Sequence, residues 1–389
     1  DSYDMNKPDF FFSNKKFYDK IIFITREKID YFNESININH YINLKIYYYL
    51  ISLYLKYNIL FRSYQLIDFL FVNYKFEKKI YFNFFQQNKI KVFLTSQINQ
   101  PYISSAVAAI NDLGGDVVGY TMSFEESYTS SLNIDSINYF ISFNNSKHIK
   151  FSHSNLKEIL PIGYITDYKF LKRKNEAIEL RKKILETDAK YIIGLFDQGS
   201  QLDNKWEVSH KISSITYKFL LKKIIEDKNF ALIIKPKKPK LLREKLGAEY
   251  ELLIRAKNTG RCIIFDNYSK HNVKNFEDIP AKVAMAADLT IHDTLAAGTA
   301  GLESALTGTR SVYFDYLDLK KSQFDERNLN IVYRNWDVLW KDIEKDFEKR
   351  SEMFGNWEKI INKFDNFREG KTNIRMMDFV NKLIEKKAS

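Results

Sequence analysis

From about residue 185 onward, short runs rich in β-branched and aromatic residues recur at 191–196, 231–235, 261–265, 289–292, 311–314 and 331–333. Each run is continuously apolar rather than alternating, the pattern of strands covered on both faces. Most of the intervals are of helical length, with apolar residues three and four apart, as in 212–225. Strands that alternate with helices predict a parallel sheet between two helical layers, hence a Rossmann-like domain of the α/β class.

The earlier half carries a sparser version of the same pattern. Strands are predicted at 20–24 and 91–94, then a helix at 102–113 closed by Gly114-Gly115, then a strand at 117–120. That order is one βαβ unit, whose crossover is right-handed in nearly all proteins. A further strand is predicted at 138–142, and the aromatic-dense stretch 41–90 fits buried helix or buried strand equally. A linker is expected near 161–174, and 357–367 and 374–387 read as amphipathic helices with lysine-rich outer faces.

With 389 residues, two domains are the natural expectation, and 45% hydrophobic with 15% aromatic residues excludes a disordered chain. A single cysteine, Cys262, excludes a disulfide framework and a cysteine-based zinc site, and points to a reducing compartment. Sixty Lys and Arg against 49 acids leave a net charge of +11. That excess suits an anionic partner such as nucleic acid, acidic lipid or a phosphorylated substrate. It also follows from the abundance of Lys, Asn, Ile, Tyr and Phe, the residues of A/T-rich codons. The most apolar stretch, 46–55, is bounded by Lys45 and Lys56 and falls well short of the about 20 residues a spanning helix needs. The opening Asp1-Ser2-Tyr3-Asp4 is no secretory signal, and without an initiator Met the sequence reads as an excised or processed piece.

Three stretches carry candidate chemistry. In the first, a strand ends at His292-Asp293 and the turn Ala297-Gly298-Thr299-Ala300-Gly301 opens a helix that stops at Gly308. Such a turn lets backbone N–H groups approach an anion at a helix N-terminus. The Thr299 hydroxyl suits a phosphate oxygen, and Glu303 could accept ribose hydroxyls. The alternative is a plain strand–helix connection, with Thr299 as N-cap, Glu303 in solvent and the glycines serving close packing. In the second stretch, Lys235, Lys237 and Lys238 stand beside Pro236 and Pro239, forming either a rigid cationic lip or a solvated lysine turn. The third, Asp197-Gln198-Gly199-Ser200, places an acid at a strand end, as a catalytic base or a capping turn. All three follow carboxyl ends of strands in one parallel sheet, where open α/β sheets bind ligands.

In these stretches the chain resembles the donor-binding half of GT-B glycosyltransferases. The likeness is strongest to the sialyltransferase-like and Kdo-transferase-like enzymes of bacterial surface-polysaccharide assembly. Asp197-Gln198-Gly199 is similar to their acid–acid–Gly motif, with Gln198 for the second acid. Lys235-Pro236-Lys237-Lys238-Pro239 is similar to a Lys-Pro-His-Pro-like motif without its histidine. Thr299-Ala300-Gly301-Leu302-Glu303 is similar to a hydroxyl-rich turn leading into Gly-x-Glu, with Ala300 in place of the second hydroxyl. The resemblance spans about 190–335 and is loose before that.

It implies two Rossmann-like domains facing a cleft: an acceptor-side domain at 1–165, a donor-binding domain at 175–355, and C-terminal helices at 356–389 crossing back to the first. The implied reaction moves a sugar from a nucleotide donor, with a CMP-activated acidic sugar such as a nonulosonate or Kdo favoured, to a hydroxyl of a bacterial glycan or glycolipid. Asp197 would be the base, with Lys235 and His292 as further catalytic groups. The donor would lie against Gly199, Ser200, Pro236, Lys237, Lys238, Asp293, Thr299, Ala300, Gly301 and Glu303. Gln97, Ser123 and Glu125 would face the acceptor. No metal or cofactor is implied. The expected location is cytoplasmic, with peripheral contact to an acidic inner membrane face. Two alternatives stay open: a CDP-alditol-type phosphotransferase, and a non-catalytic basic module binding nucleotides or nucleic acid. Against nucleic acid, the basic residues are dispersed and no recognised motif occurs; no G-x-x-x-x-G-K-[ST] loop for ATP is present.

Overall fold

The computed structural model describes residues 23–25, 35–37, 62–96, 101–120, 137–143, 155–200, 209–265, 280–295, 298–318, 324 and 329–388. They form two compact units that divide between Ile162 and Gly163. The division falls inside the stretch expected to be linker, but helix α3 (Tyr168–Leu185) already occupies the end of that stretch.

The first unit is built on a four-stranded parallel sheet in the order β3-β4-β5-β6, from β3 (Val92–Thr95), β4 (Asp116–Tyr120), β5 (Tyr139–Ser142) and β6 (Glu158–Pro161). A separate parallel pair joins β1 (Phe23–Thr25) to β2 (Ser35–Asn37). Helices α1 (Arg62–Gln87) and α2 (Pro101–Asp112) pack together against the sheet. From Arg62 on, the aromatic-dense stretch is therefore helix. Its buried residues Ile80, Tyr81, Phe84 and Phe85 recur on one face and meet Val107 and Ile110 of α2. The final helix, α10 (Thr372–Ala388), belongs to this unit from Asn373 onward. Phe379 packs edge-on to Tyr139, and Lys387 reaches the Asp116 carboxylate at 3.2 Å.

The second unit holds a six-stranded parallel sheet in the order β12-β11-β10-β7-β8-β9. Its strands are β7 (Tyr191–Phe196), β8 (Phe230–Lys235), β9 (Cys262–Ile264), β10 (Leu289–His292), β11 (Arg310–Phe314) and β12 (Val332–Tyr333). Successive residues of one strand serve opposite faces. Ile193, Leu195, Leu232 and Ile234 pack with Tyr217, Leu220 and Ile224 of α4 (His210–Glu226). Ile192, Phe196, Ala231 and Ile233 pack with Ala177 and Ile184 of α3 and Val283 and Ala286 of α7 (Pro280–Ala286). Two covered faces explain why the strands read as unbroken apolar runs. The remaining helices are α5 (Leu242–Leu246), α6 (Tyr250–Asn258), α8 (Thr299–Leu306) and α9 (Trp336–Glu348).

Residues 357–367 do not form the expected helix. They make turns around a single 3-10 turn at Ile361–Lys363. The buried Asp365 carboxylate accepts the backbone N–H groups of Tyr164 and Phe367, which turns the chain where a helix would continue. The indole of Trp357 donates to Ser311 O, and Phe364 stacks on Phe324. This segment thus packs with the second unit, and the return to the first begins only at α10.

Candidate functional site

Strand register places the candidate residues side by side. Phe196 at the end of β7 pairs with Lys235 on β8 and with His292 on β10. Asp197, Pro236 and Asp293 therefore leave the sheet together at its carboxyl edge. Two carboxylate-to-amide bonds stitch the three turns: Lys237 N–H donates to Asp197 Oδ1 at 2.5 Å, and Gln198 N–H donates to Asp293 Oδ1 at 2.8 Å. The lysine stems pass over the glycine of the β7 turn. A β-carbon at Gly199 would lie 3.5 Å from Lys238 Cε and 3.6 Å from Lys237 Cδ. Lys237 Nζ is held by Gln198 Oε1 at 2.8 Å. Lys235 is half-buried and Lys238 exposed, and neither ammonium makes an ion pair among the described residues.

Beneath this lip lies a buried charged cluster. Asp197 Oδ2 accepts from Tyr217 Oη at 2.7 Å and from Lys245 Nζ at 2.6 Å, and Lys245 also donates to Gln198 O at 3.2 Å. The carboxylate is 0% and the lysine side chain 1% exposed, so Asp197 is enclosed by donors. Burial, with the negative charge of Asp197 beside it, holds the Tyr217 phenol well above its usual range, so it stays a donor. Asp293 is fully buried, and Ser213 Oγ donates to its Oδ2 at 3.3 Å. Burial first and the Asp197 charge second push its carboxyl up to about 7, with Lys245 opposing. His292 Nδ1 lies 2.8 Å from Thr294 O, which assigns the proton to Nδ1 and leaves Nε2 as the acceptor nitrogen. Burial holds this imidazole down to about 4, so it is neutral near pH 7.

The turn into α8 is shaped by Tyr313, which pairs with His292 across β10 and β11. Its ring is fully buried and its hydroxyl donates to Gly298 O at 2.5 Å. A β-carbon at Gly301 would meet the ring at 2.7 Å, and one at Gly298 would overlap it. The two glycines admit a tyrosine under the helix start, the close-packing alternative. Thr299 stands half-buried at the first position of α8, Ala300 packs on the core, and Gly308 ends the helix at φ +86°. Glu303 does not face solvent. It is buried, with Oε1 accepting Ala281 N–H at the start of α7 at 2.7 Å and Oε2 accepting Tyr164 Oη at 2.6 Å. Ser200 turns inward to His210 Nδ1 at 2.7 Å.

Asp197, Gly199, Lys235, Pro236, Lys237, Lys238, His292 and Asp293 thus share one edge, and the Thr299–Glu303 turn joins it through the Tyr313 ring beside His292. Gln97, Ser123 and Glu125 lie outside the described residues. Sequence reading missed Lys245, Tyr217, Tyr164 and Tyr313. Tyr217 carried one signal, a hydroxyl within the buried stripe of 212–225, whereas Lys245 stands among charged neighbours like any surface lysine. Among the described residues, no group of three or more His, Cys, Asp or Glu is placed to hold a metal ion, and no helix is long and apolar enough to cross a membrane.

Neither a scan against protein-family models nor a search of curated proteins finds a match. Among solved structures the chain is similar to S. aureus MnaA in a co-structure with UDP, at TM-score 0.50 and 11% identity over 81% of this chain and 82% of that one. It is also similar to the wall teichoic acid polymerase TagF (H548A), at 0.48 and 15% over 77% and 74%. Anabaena Alr3699/HepE in complex with UDP and glucose follows at 0.47 and 13% over 78% and 81%. At such identities the likeness is one of fold. The chain has the GT-B fold, with two Rossmann-like parallel sheets and a C-terminal helix that returns to the first unit.

Proposed function

We propose that this chain is a glycosyltransferase that uses a nucleotide-linked sugar, and that the donor phosphate binds at the carboxyl edge of the six-stranded sheet. The observation that carries this reading is the pair of ammoniums, Lys235 and Lys238, that make no ion pair among the described residues: Lys235 pairs in register with Phe196, and the Lys238 stem lies against a glycine turn whose backbone is fixed by buried acids. Positive groups at this edge stabilise a departing phosphate by offsetting the charge that develops on it. The stems of Lys237 and Lys238 cross the β7 turn at Gly199 and bring the lip onto it. His292, neutral with Nε2 as its acceptor, is suited to orient a substrate hydroxyl, though at about 4 it is a weak base. Asp197 has its carboxylate filled by three donors and is better suited to hold the lysine turn than to take a proton. Glu303 is similarly committed to Ala281 and Tyr164 and supports the turn from within.

The finer proposal is a CMP-activated acidic sugar as donor and a hydroxyl of a bacterial surface glycan or glycolipid as acceptor. Two ammoniums without an ion pair among the described residues suit a donor bearing a sugar carboxylate as well as a phosphate. The net charge of +11 suits peripheral contact with an acidic cytoplasmic membrane face. The test is a thermal-shift panel of CMP, CDP, UDP and GDP against the wild type and a Lys235→Ala/Lys238→Ala variant. One nucleotide should stabilise the wild type and fail to stabilise the variant, with CMP expected to lead. A response to CDP alone returns the alditol phosphotransferase alternative. Stabilisation by none of the four refutes the transferase reading.

A further inference from the structure

The buried Lys245 has no place in the chemistry so far. It lies on α5, beyond the lysine turn that follows β8. Its ammonium reaches back to the β7 turn, to Asp197 Oδ2 at 2.6 Å and Gln198 O at 3.2 Å. Asp197 passes the connection on through Oδ1 to Lys237 N–H. From β10, the buried Asp293 accepts Gln198 N–H, in the peptide group just before the one whose carbonyl Lys245 holds. One ammonium and two carboxylates thus fix the β7 turn and tie it to the β8 turn that carries the cationic lip. An ion pair this deeply buried is an ineffective way to gain stability, because desolvating both charges cancels much of their attraction. What it gives reliably is a single geometry.

We propose that Lys245 is a positioning residue, which sets phosphate affinity by locking the Gly199 turn against the β8 turn that carries Lys237 and Lys238. This rests on the donor-site reading above. It separates two effects that the ion pair would otherwise confound. Lys245→Met alone leaves the Asp197 charge buried without its partner and should destabilise the fold. Asp197→Asn/Lys245→Met removes both charges and should recover most of the lost thermal stability while the lip stays loose.

The test measures inorganic pyrophosphate and CMP, CDP, UDP and GDP binding by calorimetry, with melting temperature and amide hydrogen exchange, on the wild type and both variants. The expected result is binding roughly tenfold weaker in both variants, the size of one lost charge-assisted hydrogen bond. Exchange at the Gln198 and Lys237 amides should be correspondingly faster, while the core of the sheet keeps its protection. A double variant that regains affinity together with stability would show that Lys245 is merely structural. Wild-type-like affinity in the single variant overturns the proposal directly. A wild type that binds neither pyrophosphate nor any of the nucleotides fails at the earlier step: it removes the donor-site reading, and this proposal with it.

Discussion

Gly301→Ala is the sharpest probe of how the edge is built. The added methyl would meet Tyr313 Cε1 and Cζ at 2.7 Å and the hydroxyl oxygen at 2.8 Å. Carbon atoms rest about 3.5–4.0 Å apart, so helix and ring must separate by roughly 1 Å. The ring cannot easily retreat: it is fully buried, stacked on Phe324 at 4.9 Å and edge-on to Trp357 at 5.8 Å. Overpacking of this kind costs about 1–3 kcal/mol. Losing the Tyr313–Gly298 hydrogen bond adds about 1 kcal/mol. Against this, alanine is about 1 kcal/mol better than glycine within a helix. The net loss is about 1–3 kcal/mol, which in a unit of this size lowers the melting temperature by roughly 2–12 °C. Urea and thermal denaturation followed by circular dichroism would measure it. Tyr313→Leu removes the clashing atoms, so Gly301→Ala/Tyr313→Leu should be less destabilised than the sum of its parts by about 1 kcal/mol or more. A single variant as stable as wild type, or strictly additive effects, would refute the claim that the ring dictates the glycine.

Two further outcomes are expected. Asp293 has a raised carboxyl pKa in the folded state, so its contribution is fully present below about pH 4 and is lost as pH rises through about 7. Asp293→Asn keeps an acceptor for Gln198 N–H and does not titrate, so its urea midpoint should gain on wild type from pH 5 to pH 8; an equal difference at both pH values would rule this titration out. Gly308→Ala has no atom within 4 Å to meet, yet the position sits at φ +86°. It should cost about 1–2 kcal/mol through backbone strain alone, and an unchanged melting temperature would count against that strain.

The sheet of the second unit was legible because burial on both faces writes itself into the sequence as uninterrupted apolar runs; 191–196 and 289–292 coincide with β7 and β10. The three turns were legible as a group for a related reason, since parallel strands deliver all their carboxyl ends to one edge. What lay beneath them was not. Lys245 looks like a surface residue until Asp197 closes over it, 48 positions away in sequence. Glu303 reads as a ribose contact or a solvent-facing acid, and nothing in the spacing shows that Ala281 N–H and Tyr164 Oη bond to its oxygens. Spacing reports which face a residue occupies, and partners drawn from distant segments leave no trace in spacing. Residues 357–367 failed for the opposite reason: their apolar periodicity was genuine but served rings docking on Phe324 and Ser311, while Asp365 drew off the backbone amides.

The return of α10 to the first unit has a consequence for biosynthesis. On the ribosome, the β3–β6 sheet is complete in sequence by Pro161, yet Phe379, which packs on Tyr139, and Lys387, which joins Lys157 on Asp116, emerge more than 200 residues later. Until then Tyr139 lacks the Phe379 ring, and Asp116 has Lys157 but not Lys387 as an ion-pair partner. Premature termination before Asn373 should therefore injure the half of the protein made first, leaving a fragment that chaperones hold and proteases clear.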